Sequence, residues 1–238
     1  MAIVILVRHG RTPANADGVL AGRAPGIHLD EVGRAQADAA GERLAGLPVT
    51  RVASSPLERT LETAQAVARR LPGTPGVQRE EGLIECGYGA WTGRSLKELA
   101  KERLWRTVQA HPSAVRFPEG ESLPAMQARA VSAVRSWDAL VTAQNGDDAL
   151  WVAVSHGDVI KAVVADALGL HLDSFQRLVA GPGSLSVIRY TEHRPFVLHV
   201  NDTGSDLSGL KPPTRRRRRR RSSDAVVGGG AGGPAGTA

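Results

Sequence analysis

The chain has 238 residues, of which 42% are hydrophobic and 23% charged, the proportions of an ordinary globular protein long enough to bury a sizeable core. No run approaches the roughly 20 apolar residues of a bilayer-spanning helix, and MAIVILV is too short and lacks the basic flank of a signal peptide, so a cytoplasmic protein with no membrane partner is expected. The formal charge of +6 resides in residues 203–238, where Lys211 and Arg215 to Arg221 outweigh Asp206 and Asp224; the rest is near neutral and carries no bias toward nucleic acid.

Ile3 to Val7 is a β-branched and aliphatic run that ends in Arg8-His9-Gly10-Arg11-Thr12. It predicts a strand covered on both faces, as in a parallel α/β sheet, and ligands of such sheets gather where strands end. An imidazole and a cation at that edge suit an anion. Gly18 to Leu29 reads as loop, after which Asp30 is expected to cap a helix through Leu44. Val49 to Ala53 is a second strand. Ser54-Ser55-Pro56 follows it, with Ser55 as the expected cap and Pro56 as the first residue of a helix to about Leu71. Arg59 then falls one turn inside that helix, within reach of the edge that carries His9. A segment from Val77 leads into Leu83 to Gly93, whose glycines predict loop around Glu85; the single Cys86 has no disulfide partner and is expected to be a packing residue.

Ser95 is expected to cap a helix to about Val108, His111 to Ser122 to form a second loop, and a long helix to follow to about Ala143, stopped by Asn145-Gly146. Ala149 to Val154 repeats the N-terminal pattern, a buried strand that runs into His156-Gly157 and a helix from Val159 to Leu168. Ser184 to Tyr190 and Pro195 to Asn201 predict a closing hairpin, and from Thr203 onward no periodicity remains.

Arg8-His9-Gly10-Arg11-Thr12-Pro13-Ala14-Asn15 resembles the RHGxTxxN run of the histidine phosphatase superfamily, in its phosphoglycerate mutase-like branch. Ser54 to Ala64 resembles that superfamily's SSPLxRAxxTA segment, Leu83 to Gly93 its LxExxxGxWxG loop, and Val154 to Lys161 its VxHGxxxR-like segment. The resemblance covers about residues 3 to 202. It implies an α/β fold of three layers, a mainly parallel sheet with helices on both faces, in a single domain over 1–202; residues 203–238 read from their composition as a disordered Arg- and Gly-rich tail. It also implies a phosphomonoester hydrolase in which His9 becomes a phosphohistidine, Glu85 serves as acid and then base, and Arg8, Arg59 and His156 hold the phosphoryl group. Asn15, Gly22, Arg23 and Gly157 resemble substrate-side contacts, and Glu119-Gly120-Glu121-Ser122 resembles a further family loop.

The chemistry agrees with these assignments. A departing phosphoryl group needs fixed cations around phosphorus, a nucleophile in line and an acid on the leaving side. An imidazole attacks when one ring nitrogen is unprotonated, splitting one displacement into two. Arginines supply the charge neutralisation, so no metal or other cofactor is expected. Glu80 and Glu81 compete with Glu85 for the acid role but lack its place relative to Leu83, Gly89 and Trp91. His28, His111, His171, His193 and His199 have no such context. The chain departs from mutases in having Ala14 where they carry an aromatic, and in lacking their Arg-Arg and Tyr segment and proline-rich insert between Gly93 and Ala114. Hydrolysis of a phosphorylated small molecule is therefore expected, with mutase-type phosphoryl transfer as the alternative. A remoter one is polyanion binding through the arginine run, with any nucleic acid contact confined to non-specific attraction there. A homo-oligomer is compatible with the sequence.

Overall fold

The structure is a computed structural model that describes residues 1–204 and 227–229. Lys211 and Arg215 to Arg221, and with them the expected polyanion-binding run, lie outside the described residues.

The apolar N-terminal run is strand β1 (Ile3–Arg8), followed by one helical turn, α1 (Pro13–Ala16). Next come α2 (Glu31–Leu44), β2 (Val49–Ser54), α3 (Glu58–Ala68) and β3 (Val77–Arg79). The glycine-rich loop of residues 80–93 contains two short 3₁₀ turns and leads to α4 (Leu96–Leu99), α5 (Arg103–Ala110) and the long α6 (Leu123–Asn145). The chain closes with β4 (Leu150–Ser155), α7 (Gly157–Ala167), β5 (Leu185–Arg189) and β6 (Phe196–Asp202).

The six strands form one sheet in the order β3-β2-β4-β1-β5-β6, parallel from β3 to β1 and antiparallel at β5 and β6. Alternation along β1 divides the core into two layers. Ile5 and Val7 join Ala40, Leu44, Ala64 and Val67 of α2 and α3 on one face; Val4 and Leu6 join Met126, Val134, Val159 and Val163 of α6 and α7 on the other. Burying alternate side chains on opposite faces is what a continuous apolar strand demands, and it produces the three-layer arrangement. Among the described residues no helix is long and apolar enough to cross a membrane.

Helix ends follow local chemistry. Asp30 caps α2, its Oδ1 accepting from Gly33 N at 2.7 Å, and Ser122 caps α6 through Ala125 N at 3.2 Å; α6 stops at Gly146, whose φ of 88° is a glycine conformation. Two expectations need correction. The helix after β2 starts at Glu58, with Leu57 rather than Ser55 before it, because the Ser55 hydroxyl is committed to His156 at 2.7 Å; Arg59 thus sits at the second helical position, and the helix ends at Ala68 rather than near Leu71. The helix expected from Ser95 to Val108 is two helices. Leu99 and Trp105, both buried, fall on different faces of an uninterrupted helix, and a break at Ala100 to Glu102 turns both toward the core. Glu102 is anchored there by Arg94 at 2.6 Å.

Candidate active site

Strand register brings the two His-Gly junctions together. Arg8 of β1 pairs with Ser155 of the adjacent parallel β4, so His9 and His156 emerge side by side at the carboxyl edge, their rings edge-to-face with centroids 5.2 Å apart. The neighbouring β2 ends in step at Ser54, and the start of α3 carries Arg59 over the same edge. Arg8, His9, Arg59, Glu85 and His156, the five residues the sequence marks for catalysis, are all buried around one point.

The hydrogen bonds fix both imidazole tautomers. The Gly10 carbonyl lies 2.7 Å from His9 Nδ1 and accepts from it, which leaves Nε2 as the lone-pair nitrogen, facing Nε of Arg59 at 3.3 Å. Nη2 of Arg59 donates to the Gly22 carbonyl at 2.7 Å and lies 3.2 Å from His156 Nδ1; that nitrogen accepts, so Nε2–H of His156 donates to the Ser55 hydroxyl. Burial, reinforced by the charges of Arg59 and Arg8, holds His9 well below the usual imidazole pKa; burial and the same cations, joined by His9, do so for His156. Both rings are therefore neutral near pH 7.

Glu85 lies in the same enclosure, with Oε1 accepting from Cys86 N at 2.9 Å and Oε2 3.9 Å from His156 Nδ1. Burial, with the Asp158 carboxylate as the next contributor, raises it to about 7 against the opposing pull of Arg59 and Arg8. Arg8 donates to the Ala180 carbonyl at 2.8 Å; burial lowers its pKa to about 10, which still leaves it charged at neutrality. Nη1 of Arg59 is buried without an acceptor among the described residues.

A cavity of about 30 Å³ opens onto His9, Arg59 and Glu85 and is lined further by Asn15, Gly22 and Tyr88, among others. Asn15 lines it while its Oδ1 accepts from Thr12 N at 3.1 Å, and Gly22 adopts φ +53° beneath Thr92 and Tyr88. Arg23 stands behind the site instead: its Nε donates to the Glu85 carbonyl at 2.7 Å and its Nη2 to Glu121 at 2.8 Å. Gly157 opens α7 and contributes no lining surface. Glu80 is turned away, accepting from Gly82 N and the Trp137 indole, and Glu81 is exposed. His28, His111, His171, His193 and His199 are exposed elsewhere, and Cys86 packs in the core.

Several participants carry no sequence signal that separates them from ordinary residues. Thr63 accepts from Gly10 N at 3.1 Å and donates to the Arg59 carbonyl at 2.8 Å, tying the His9 loop to α3. Arg129 of α6 donates to the carbonyls of Gly82 and Glu85 and forks onto Glu121. Asp158 accepts from the Tyr88 hydroxyl at 2.8 Å and pairs with Lys161 at 2.7 Å. Val227 and Gly228 also line the cavity; Gly228 N donates to Asp158 at 2.9 Å, and its carbonyl accepts from Arg8 at 3.2 Å. Gly10 and Gly33 meet so closely that a Cβ on Gly10 would overlap the Gly33 backbone, and one on Gly33 the Arg11 backbone. Among the described residues, no three His, Cys, Asp or Glu side chains stand close enough to share a metal ion.

Two His-Gly junctions and two buried arginines at the carboxyl edge of a mainly parallel sheet define an α/β enzyme with a preformed anion-receiving edge. The model of the histidine phosphatase superfamily (branch 1) matches residues 4–203, and the chain belongs to that superfamily. It is similar to phosphoserine phosphatase 1 of Hydrogenobacter thermophilus, 30% identical over 214 residues that span 85% of this chain and 93% of that protein. It is also similar to a probable phosphoglycerate mutase, GpmB, of Erwinia tasmaniensis, 32% identical over 215 residues, 89% of this chain and 96% of that one. Among solved structures it resembles Bacillus stearothermophilus YhfR, with a TM-score of 0.77, 25% identity and coverage of 86% of this chain and 98% of that one. The protein is thus an enzyme of the phosphatase and mutase class.

Proposed function

We propose that the protein hydrolyses small-molecule phosphomonoesters in two displacements at His9. The observation that carries this reading is the His9 tautomer: the Gly10 carbonyl holds Nδ1–H, so Nε2 carries the lone pair at the cavity, where it accepts the Nε–H of Arg59 at 3.3 Å, a donor that an arriving phosphoryl oxygen can take over. In the first displacement Nε2 attacks phosphorus, the bond to the departing oxygen breaks, and Glu85, protonated below about pH 7, gives that oxygen its proton. In the second, the Glu85 carboxylate takes a proton from water, the water oxygen attacks the phosphohistidine, and the P–N bond breaks to release inorganic phosphate.

Arg8 and Arg59 hold the phosphoryl oxygens. The buried Nη1 of Arg59 gains from an arriving oxygen the acceptor it lacks, and such donors act strongly in a site that excludes water. His156, held by Ser55, flanks the same oxygens. Asn15 and Gly22 stand on the substrate side, whereas Arg23 acts from behind, through the Glu85 backbone. Water is the preferred acceptor over a second alcohol because the mutase-type segment between Gly93 and Ala114 is missing from the sequence. The cytoplasm is the proposed compartment, on the strength of a single, core-packed cysteine.

The test is a rapid quench into alkali during turnover, followed by mass spectrometry. One acid-labile phosphate on the His9 peptide, and loss of turnover in His9→Ala, are expected; direct transfer to water, with no adduct during demonstrated turnover, contradicts the scheme.

A further inference from the structure

Beyond the reacting groups, the cavity wall includes the apolar side chains of Ala14, Val19, Leu20, Ala21, Leu96 and Val227; its polar side chains are engaged within the chain, Thr12 with Asn15 and the Tyr88 hydroxyl with Asp158. Among the described residues, its other titratable groups near the reacting centre are Arg59, Glu85 and the neutral His9, all engaged at phosphorus or at the departing oxygen. The arginines nearest this wall in sequence are committed to carboxylates. Arg11 is paired with Asp30 at 2.7 Å, Arg23 with Glu121 at 2.8 Å and Arg94 with Glu102 at 2.6 Å. The wall also accepts an aliphatic group of this chain, since Val227 is buried in it and Gly228 lies against Leu20 and Tyr88.

A departing alcohol that bears a carboxylate would leave water here without meeting a cation to replace its hydration. An aliphatic or aromatic alcohol loses nothing polar and gains contact with the wall in proportion to the area it buries. We propose that the enzyme selects phosphomonoesters of uncharged, apolar alcohols and discriminates against those whose alcohol carries a carboxylate. The proposal rests on the phosphatase reading above and adds the leaving-group class to it.

The experiment compares kcat/KM for n-pentyl phosphate with that for its ω-carboxylated analogue, which shares the ester chemistry and differs at the far end of the chain. p-Nitrophenyl phosphate serves as the reference substrate. A preference of about tenfold or more for the uncharged ester is expected, together with a rise in kcat/KM from ethyl to pentyl phosphate. Ala14→Arg, which sets an uncommitted cation on the half-buried turn of α1, should shrink or invert the preference. Equal or better use of the carboxylated ester by the wild type, with p-nitrophenyl phosphate hydrolysed normally, overturns the leaving-group assignment and leaves the phosphatase reading standing. Failure to hydrolyse any ester, p-nitrophenyl phosphate included, overturns both.

Discussion

Arg59 directs its Nε–H at Nε2 of His9 across 3.3 Å, so one guanidinium both faces that lone pair and, through Nη2, spans Gly22 and His156. The planar fork makes these contacts possible; a lysine ammonium keeps the charge but cannot reach the same set. Arg59→Lys is therefore expected to lower kcat/KM for p-nitrophenyl phosphate by about two orders of magnitude, close to the loss of one transition-state donor. Wild-type kinetics in the lysine variant would show that charge alone suffices.

The pH dependence follows from Glu85. With its pKa near 7, kcat for an alkyl phosphate should be level on the acid side and fall as pH rises through that value. p-Nitrophenyl phosphate, whose leaving group needs little protonation, should show a shallower fall, and Glu85→Gln should lose most activity on the alkyl ester. Stability carries the same signature. A carboxyl whose pKa is higher folded than unfolded stabilises the fold while protonated, and that contribution is lost as pH rises through about 7. Glu85→Gln should hence melt higher than wild type at about pH 8 and show no such advantage at about pH 5; equal differences at both pH values would contradict the assignment.

Arg129 is expected to act through Glu85 without touching substrate. It donates to the Glu85 carbonyl at 3.1 Å and to that of Gly82 at 2.8 Å, so Arg129→Met frees the loop that aims the carboxyl group. We expect kcat on an alkyl phosphate to fall roughly ten- to a hundredfold and turnover of p-nitrophenyl phosphate to fall much less, with partial rescue by Arg129→Lys. Equal losses on both esters would point to general unfolding.

Ending the chain after Gly204 leaves Arg8, His9, Arg59, Glu85 and His156 in place and removes the Gly228 carbonyl from Arg8. A hydrogen bond to a charged donor is worth about 1.5 to 3 kcal/mol, and substrate phosphate no longer has to displace it. The expectation is an unchanged kcat and a KM for p-nitrophenyl phosphate lowered at least severalfold, read from initial rates. Loss of kcat in the shortened chain would show instead that the C-terminal segment builds the site.

Much of this was legible because strand ends and chemistry coincide. The apolar run before Arg8-His9-Gly10 and the one before His156-Gly157 are strong signals, and their parallel pairing delivers the two rings to one place. Residues that hold the site rather than form it were not legible. Thr63 and Arg129 are ordinary helix residues until the fold sets them against Gly10 and Glu85, and Gly228 belongs to a glycine-rich stretch with no periodicity. The start of α3 departs from its local signal for a related reason. Ser55-Pro56 carries a good local capping signal, but a buried imidazole without a partner costs more than a cap, and His156 takes the hydroxyl.

The Gly10–Gly33 contact limits how this protein can change. Most tight contacts tolerate a larger residue on one side if the other shrinks, but here neither partner has an atom left to give up. A library that randomises both positions together should return the glycine pair, with no rescuing combination elsewhere in the matrix. The same contact makes the turn after β1 and the first turn of α2 a single unit of inheritance. Chimeras that exchange one of them with a relative should be viable only when its counterpart travels with it.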